Sequence, residues 1–190
     1  EATAMMESLA IEKKDAEETQ KIVARDEKIA MEQQAQAEDM KRQAQEAVAD
    51  AQRILDKTTE EIKSLKKDHL VEIKSFKSPP SPVLWTLAGV IVMLGEKPPL
   101  KPRADNPEKK EEDYFGYAKE KLLANPDAFL ARLLEFAMSD QKNRIAPEII
   151  TKFEAKIKDE KDFQEESVKK ANLATKYLWS WVNAMYTYHN

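Results

Sequence analysis

Apolar side chains recur every three or four positions through the first seventy-seven residues, and neither glycine nor proline interrupts them. From the middle of that stretch the seam reads Ala44, Val48, Ala51, Leu55, Thr58, Ile62, Leu65 and His69, in alternating steps of four and three. Such a heptad repeat lets two helices keep a shared face. Ile73 and Phe76 continue it after a small slip, and upstream it thins to Ile22, Asp26, Ile29, Gln33, Ala37 and Met40. Alanine, Glu, Lys, Gln and Arg dominate the stretch, and these are strong helix formers. The pattern predicts one helix from Glu1 to Lys77, a rod of about 115 Å at 1.5 Å per residue. A seam so rich in Ala, Thr and polar residues packs weakly. Weak packing lowers the cost of sliding one helix along another, so more than one register can be populated. The plainer alternative is a solvent-exposed helix, with His69 a tolerated polar residue in its seam.

Lys77-Ser78-Pro79-Pro80-Ser81-Pro82 ends the rod, because three prolines in four residues cannot continue a helix. Ser81 as N-cap and Pro82 at the first helical position predict a restart. The new helix, Val83 to Leu94, is apolar on every side, which marks a central core helix. Gly95 closes it, with Pro98 and Pro99 close behind. Residues 96–112 read as a Pro/Lys/Glu loop without a core face. Shorter helices follow, from Asp113 to about Ala124, from the cap at Asn125-Pro126, and from Pro147. Asp162 with Glu165 three residues later resembles a capping box for one final helix to the carboxyl end. Its apolar positions Leu173, Tyr177, Trp181, Ala184 and Tyr188 form a second seam, whose expected partner is the rod. The predicted fold class is all-α. A long coiled-coil helix (1–78) leads into a small helical-bundle head (79–174), and an antiparallel helix returns from it (175–190). Most of the rod then lacks a partner, which reads as a piece of something larger.

Composition narrows the function. The chain has no cysteine and only two histidines, His69 and His189, so neither a thiolate or multi-histidine metal site nor a cysteine nucleophile is available. No glycine-rich phosphate loop is visible, and no cofactor is implied. Residues 1–79 carry 14 basic and 18 acidic side chains, while residues 80–190 carry 17 of each. Neither part is a polycation, which disfavours nucleic-acid binding through counterion release. The longest apolar run is that of Val83 to Leu94, short of the roughly 18–20 residues a membrane span needs. With no signal peptide at the amino end, the expectation is a soluble intracellular protein with no membrane partner.

Several ordered motifs are more specific. KSFKSPPSPV is followed by VIVMLGEKP, a Lys/Pro-rich insertion, and Asp113-Tyr114-Phe115. Phe129-Leu130, the turn from Asn143 to Pro147, and Asp162-Phe163 come next. The run from Trp181 to Tyr188 (WVNAMYTY) closes the series. Over roughly residues 60–190 this pattern resembles the stalk tip and microtubule-binding domain of the axonemal dynein heavy chains, the inner-arm type more than the outer. The resemblance implies a partner, the microtubule, bound at the groove between α- and β-tubulin. It implies attachment to the rest of a dynein heavy chain, and a setting in the cytoplasm and cytoskeleton, in the axoneme of a cilium or flagellum. It also implies that ATP state is coupled to microtubule affinity by half-heptad sliding of the stalk helices. The chain itself would be non-catalytic, although the parent motor would be an ATPase.

On the resemblance, the family's contacts come from the first head helix, the loop and helix after Asn143, and the start of the last helix. Lys170 aligns with a microtubule-contacting arginine of the cytoplasmic members, with Lys169 beside it. Two departures are evident. Leu84 stands where those members carry a lysine, and no proline occurs near Ala174-Thr175. Tubulin's surface is strongly acidic, so the candidate binding cations are Arg132, Lys142, Arg144, Lys152, Lys156, Lys169 and Lys170, tempered by Glu148, Glu154, Glu165 and Glu166. Lys101, Arg103, Lys109 and Lys110 of the insertion are candidates for a second tubulin contact. Leu55, Thr58, Ile62, Leu65, His69, Phe76, Tyr177 and Trp181 are the candidate register residues. Trp85, Trp179 and Trp181 read as core and seam. Two other classes compete: a passive coiled-coil scaffold with a helical cap, and an RNA-binding helical arm, which would want a net-basic coil.

Overall fold

The computed structural model describes residues 2–189, so the predicted helix start at Glu1 and the carboxyl-terminal Asn190 lie outside the described residues. The elements, in order, are α1 (Ala2–Ser64), α2 (Lys67–Ser75), α3 (Ser81–Met93), β1 (Leu100–Pro102) and β2 (Lys110–Glu112). Then come α4 (Tyr114–Tyr117), which runs on as a π turn over Ala118–Leu122, and α5 (Pro126–Met138), followed by a 3-10 turn over Asp140–Arg144. α6 (Pro147–Phe153) also continues as a π turn, Glu154–Lys158. A 3-10 turn over Lys161–Phe163, α7 (Glu165–Val168) and α8 (Leu173–His189) complete the chain. It divides into two compact units, one ending at Val48 and one beginning at Ala49.

Every described side chain of the first unit is exposed, Ile22, Ile29 and Met40 of the thin seam among them. Local pairs such as Arg42 with Asp39 and Gln34 with Glu38 decorate this part of α1. Each is an exposed contact worth a few tenths of a kcal/mol. High helix propensity is the other support this unit has.

In the second unit the predicted seam becomes a buried face. Leu55, Thr58, Ile62 and Leu65 are all buried, and the Thr59 hydroxyl turns back to donate to the Leu55 carbonyl at 2.8 Å. The rod is not one helix, however. It stops at Ser64 and restarts at Lys67, and Lys66 between them has extended backbone (φ −104°, ψ 158°). His69 is the reason the restart is stable. Its Nδ1 accepts the Lys66 N–H at 3.1 Å, and its own N–H donates to the Lys66 carbonyl at 3.1 Å. The expected seam position therefore belongs to Leu70, fully buried with Ile73, while His69 serves as a cap. Phe76 is half-buried against the core just past the end of α2.

α3 is enclosed as predicted, with Val83 and every residue from Thr86 to Met93 buried. Its N-cap is Pro80 rather than Ser81, so no side chain caps it. Its carboxyl end is a Schellman motif. Gly95, at φ 74°, donates to Val92 at 3.0 Å, and Glu96 donates to Ile91 at 3.1 Å. The insertion is more ordered than a plain loop. β1 and β2 form an antiparallel ribbon pairing Leu100 with Glu112, Lys101 with Glu111 and Pro102 with Lys110. Both strands stay solvent-facing, and this is why the pattern showed no core face.

The last segment departs most from expectation. One helix from Asp162 is replaced by a 3-10 turn, the short α7, and α8, whose start is capped by Asn172 accepting the Thr175 N–H at 2.7 Å. Leu173 is exposed, and the buried face is Ala174, Leu178, Trp181 and Met185, again at four-three-four spacing. That face packs chiefly on α3 and less on the rod, which it meets through α2 and beside Thr58. An all-apolar α3 must be covered, and α8 supplies the longest apolar face to do so. Trp181 accordingly is a head-core residue. Its indole N–H donates to the Leu133 carbonyl at 3.1 Å, and its ring lies edge-on to Phe136 at 5.6 Å.

The α3–α8 contact is close because Gly89 has no side chain. A Cβ there would meet Val182 Cγ1 at 3.1 Å and Phe163 Cε2 at 3.3 Å. Gly89→Val is expected to destabilise the head by about 1–3 kcal/mol through overpacking, despite its removal of a helical glycine. Urea unfolding followed by tryptophan fluorescence measures this; a variant as stable as the parent would mean the two helices separate freely.

Candidate functional site

The cations named from the sequence fall into groups once the fold is known. On α5, Arg132 is paired with Glu96, the residue just past the α3 terminus, and Glu96 also accepts the Tyr117 hydroxyl at 2.6 Å. These two bonds, Tyr117's first and Arg132's next, hold the Glu96 carboxyl below its ordinary value. Arg132 thus ties α5 to the end of α3.

Lys142 is not a surface group. Its 3-10 turn folds the side chain inward, where the ammonium donates to the Ser139 carbonyl at 2.8 Å and rests 5.3 Å from the centre of the Tyr188 ring. Burial removes it from the set available to an external partner. Arg144, two residues on, is exposed and has no ion pair among the described residues.

On α6 and its π turn, Lys152 and Lys156 converge on one carboxylate. Glu112, the last residue of β2, accepts Lys152 on Oε1 and Lys156 on Oε2, the latter at 3.2 Å. Tyr114 adds its hydroxyl to Oε2. Burial pushes the Glu112 carboxyl up, but the hydrogen bonds from Lys152, Tyr114 and Lys156 outweigh it and bring it down to about 2. Burial and this same carboxylate push the Tyr114 hydroxyl well above its usual range. Next to the clamp lies an open cleft of about 530 Å³, with Leu84, Trp85, Leu100, Arg103 and Lys110 in its walls.

Past α7, Lys169 pairs with Glu165 at 2.8 Å and Glu166 at 3.6 Å, whereas Lys170 is exposed and unpaired among the described residues. In the ribbon, Arg103 grips Asp105 with two bonds of 2.8 and 2.6 Å, and Lys101 reaches Asp113 at 3.2 Å. Lys109 and Lys110 are exposed and form no ion pair among the described residues. Among the described residues no group of three or more His, Asp and Glu side chains could hold a metal ion, and no helix is long and apolar enough to cross a membrane.

The register candidates sit where the rod enters the head. Leu55 and Thr59 border Ala137 and Met138 at the end of α5 and Lys142 in the turn that follows it. Thr58 borders Trp179, Ser180 and Asn183 on α8. Tyr177 is half-buried against the core. From there Lys77 to Pro80 passes directly into α3, which touches α4, α6, α7 and α8.

A family model described as the microtubule-binding stalk of dynein motor matches residues 1–190. The chain belongs to that family. Among its relatives, dynein axonemal heavy chain 3 of Mus musculus is 29% identical over 184 residues, 97% of this chain and 4% of that protein. Dynein axonemal heavy chain 1 of Homo sapiens is 30% identical over 184 residues, again 97% of this chain and 4% of that protein. A solved structure described as the microtubule-binding domain of dynein-c superimposes with a TM-score of 0.59 at 31% identity, over 75% of this chain and 86% of that one. The chain thus spans about 4% of the length of these curated relatives. The all-α stalk-and-head fold expected from the motifs is the fold of this dynein stalk domain.

Several residues that hold cations of the head carried no sequence signal. Glu112 meets its lysines at separations of 40 and 44 residues, and Glu96 meets Arg132 at 36, so no helical or strand spacing could announce them. Tyr186 likewise accepts Lys158 at 2.9 Å and donates to Glu154 at 2.5 Å across the head. Asn172 was findable, since an Asn preceding Leu-Ala-Thr is a plain N-cap signal.

The Glu112 clamp has a definite pH signature. Its folded carboxyl is depressed from 4.5 to about 2, so its contribution is complete above about pH 4.5 and is lost as the pH falls toward 2. Glu112→Gln is expected to cost about 1–3 kcal/mol at pH 7, the range for hydrogen bonds to a charged group. The gap between parent and variant should close with acidification in parallel urea titrations. A gap independent of pH would mean the carboxylate charge is not what stabilises the ribbon.

Proposed function

We propose that the head docks on the microtubule through exposed cations that follow α5, lie on α6 and follow α7. In this reading residues 1–78 are the first stalk helix, 79–174 the tubulin-binding head and 175–190 the start of the returning helix. The parent protein is an axonemal dynein heavy chain of a cilium or flagellum. Its ATPase lies elsewhere in that chain, and its partner here is α/β-tubulin rather than nucleic acid or membrane. The axonemal heavy chains among the relatives support that assignment. The observation that carries the mechanism is that the rod feeds α3, and α3 packs on α6, α7 and α8.

Arg144 and Lys170 are the strongest binding candidates, because neither spends its charge on an internal carboxylate. Lys156 and Lys169 are exposed but shared with Glu112, Glu165 and Glu166. Lys152 is half-buried, and Arg132 is committed to Glu96. Lys109 and Lys110 form the freer half of a second tubulin contact, since Lys101 and Arg103 are held within the ribbon. Charge reversal at Lys170 is expected to weaken microtubule co-sedimentation by about one to a few kcal/mol, and reversal at Lys169 by less. The head should stay folded, because exposed charges matter little to stability. Binding should also fall as salt shortens the screening length below about 8 Å. Salt-independent co-sedimentation, unchanged in both variants, would favour a passive coiled-coil scaffold.

Register control belongs to the same reading. Leu55, Ile62 and Leu65 form a seam diluted by Thr58, which supports two packings of similar energy. Fusing the two stalk helices to a fixed antiparallel coil in each register, with the returning strand supplied, is expected to give microtubule affinities differing about tenfold. That corresponds to about 1.4 kcal/mol of coupling. Equal affinities with intact heads would leave a microtubule binder without a switch.

A further inference from the structure

The cations of α6 are already occupied from within the molecule. Glu112 reaches them from β2 of the insertion, with one oxygen on Lys152 and the other on Lys156. The Tyr114 hydroxyl anchors the second oxygen, and the Glu112 side chain is only 18% exposed. Lys156 is 56% exposed and Lys152 29%. An acidic partner approaching α6 therefore meets two lysines that share one preorganised carboxylate, which balances half of their charge. The other acids nearby do not share this role. Glu111 faces Lys101 at 4.0 Å, and Glu160 borders the cleft without forming an ion pair among the described residues.

We propose that Glu112 is a positioning residue that sets how far the α6 lysines are open to tubulin: its carboxylate holds Lys152 and Lys156 against the ribbon, and the tubulin surface must displace it to engage them. The inference rests on the reading that α6 meets tubulin. Its chemistry is competition between two carboxylate sources for the same ammonium groups. The ribbon thereby acts as a brake on affinity, in addition to any contact of its own. When the binding-competent state is only a fraction of the whole, the apparent Kd rises by the inverse of that fraction. An internal partner in place about 70–90% of the time weakens binding about three- to tenfold by this relation.

The test is microtubule co-sedimentation of the chain at one fixed salt concentration, with far-UV circular dichroism to establish that each variant is folded. Glu112→Gln is expected to tighten binding about three- to tenfold. A purely structural carboxylate would weaken it or leave it unchanged. Glu108→Gln, in the connection between the strands, changes net charge equally and is expected to alter binding by less than about twofold. In a Lys152→Met/Lys156→Met background, Glu112→Gln should give no gain. Tyr114→Phe loosens the clamp without a charge change, and should tighten binding in the same direction by a smaller factor. It decides the matter if Glu112→Gln does not fold. If the lysine variant weakens binding while neither Glu112→Gln nor Tyr114→Phe tightens it, the brake is overturned and α6 remains a tubulin-facing element. A lysine variant that binds like the parent overturns both. Equal gains from Glu112→Gln and Glu108→Gln would reduce the effect to net charge and overturn the brake.

Discussion

An α-helix with no polar side is stable in water only if other elements enclose it, and α3 places that demand on everything after residue 80. Each buried aliphatic side chain on it contributes about 1.5–3 kcal/mol, but only while its cover stays in place. α8 covers the largest share, α4, α6 and the short α7 most of the remainder. The Schellman turn at Gly95 and the prolines at 79, 80 and 82 fix its two ends. The head is consequently a shell assembled around one helix, and any movement of that helix must repack several neighbours together. Close-packed interiors yield in discrete steps rather than continuously, and a two-state response of the head needs that property.

Much of this was readable in the residues. The enclosed helix, the Asn125 cap, the Gly95 stop and the seam from Leu55 to Leu65 all follow from local pattern, because each depends on neighbours a few positions away. The failures share one cause. His69 as a cap, Leu70 as the buried residue, and α8 facing α3 more than the rod are all decided by which surfaces compete for burial. Heptad spacing identifies a face without naming its partner. Trp181 illustrates this: its period fits a coiled-coil seam, and its indole N–H is satisfied by a carbonyl on α5.

The charged groups show the same limit more sharply. The family resemblance, with tubulin's acidity, singled out seven candidate cations, yet the fold gives them unequal freedom. Lys142 is spent on a carbonyl and a tyrosine ring, Arg132 on Glu96, and Lys152 and Lys156 on Glu112. Arg144 and Lys170 keep their full charge for solvent or a partner. A head of zero net charge can therefore still offer free positive charge at Arg144 and Lys170, because internal contacts occupy the other five of these candidates.

The interruption between α1 and α2 has a mechanical meaning. A continuous helix carries axial load along its ladder of hydrogen bonds and behaves as a stiff strut. At Leu65 and Lys66 that ladder is broken, and the load passes through one extended residue flanked by the anchored side chains of Leu65 and Leu70. Such a joint is soft in bending and twisting but stiff in tension, since an extended backbone has little length left to give. The seam of α1 is already buried in the head at Leu55, Thr58 and Ile62, so a pull along the rod is shared between that packing and the joint. The joint marks where the rod stops being a free strut and becomes one more wall of the head.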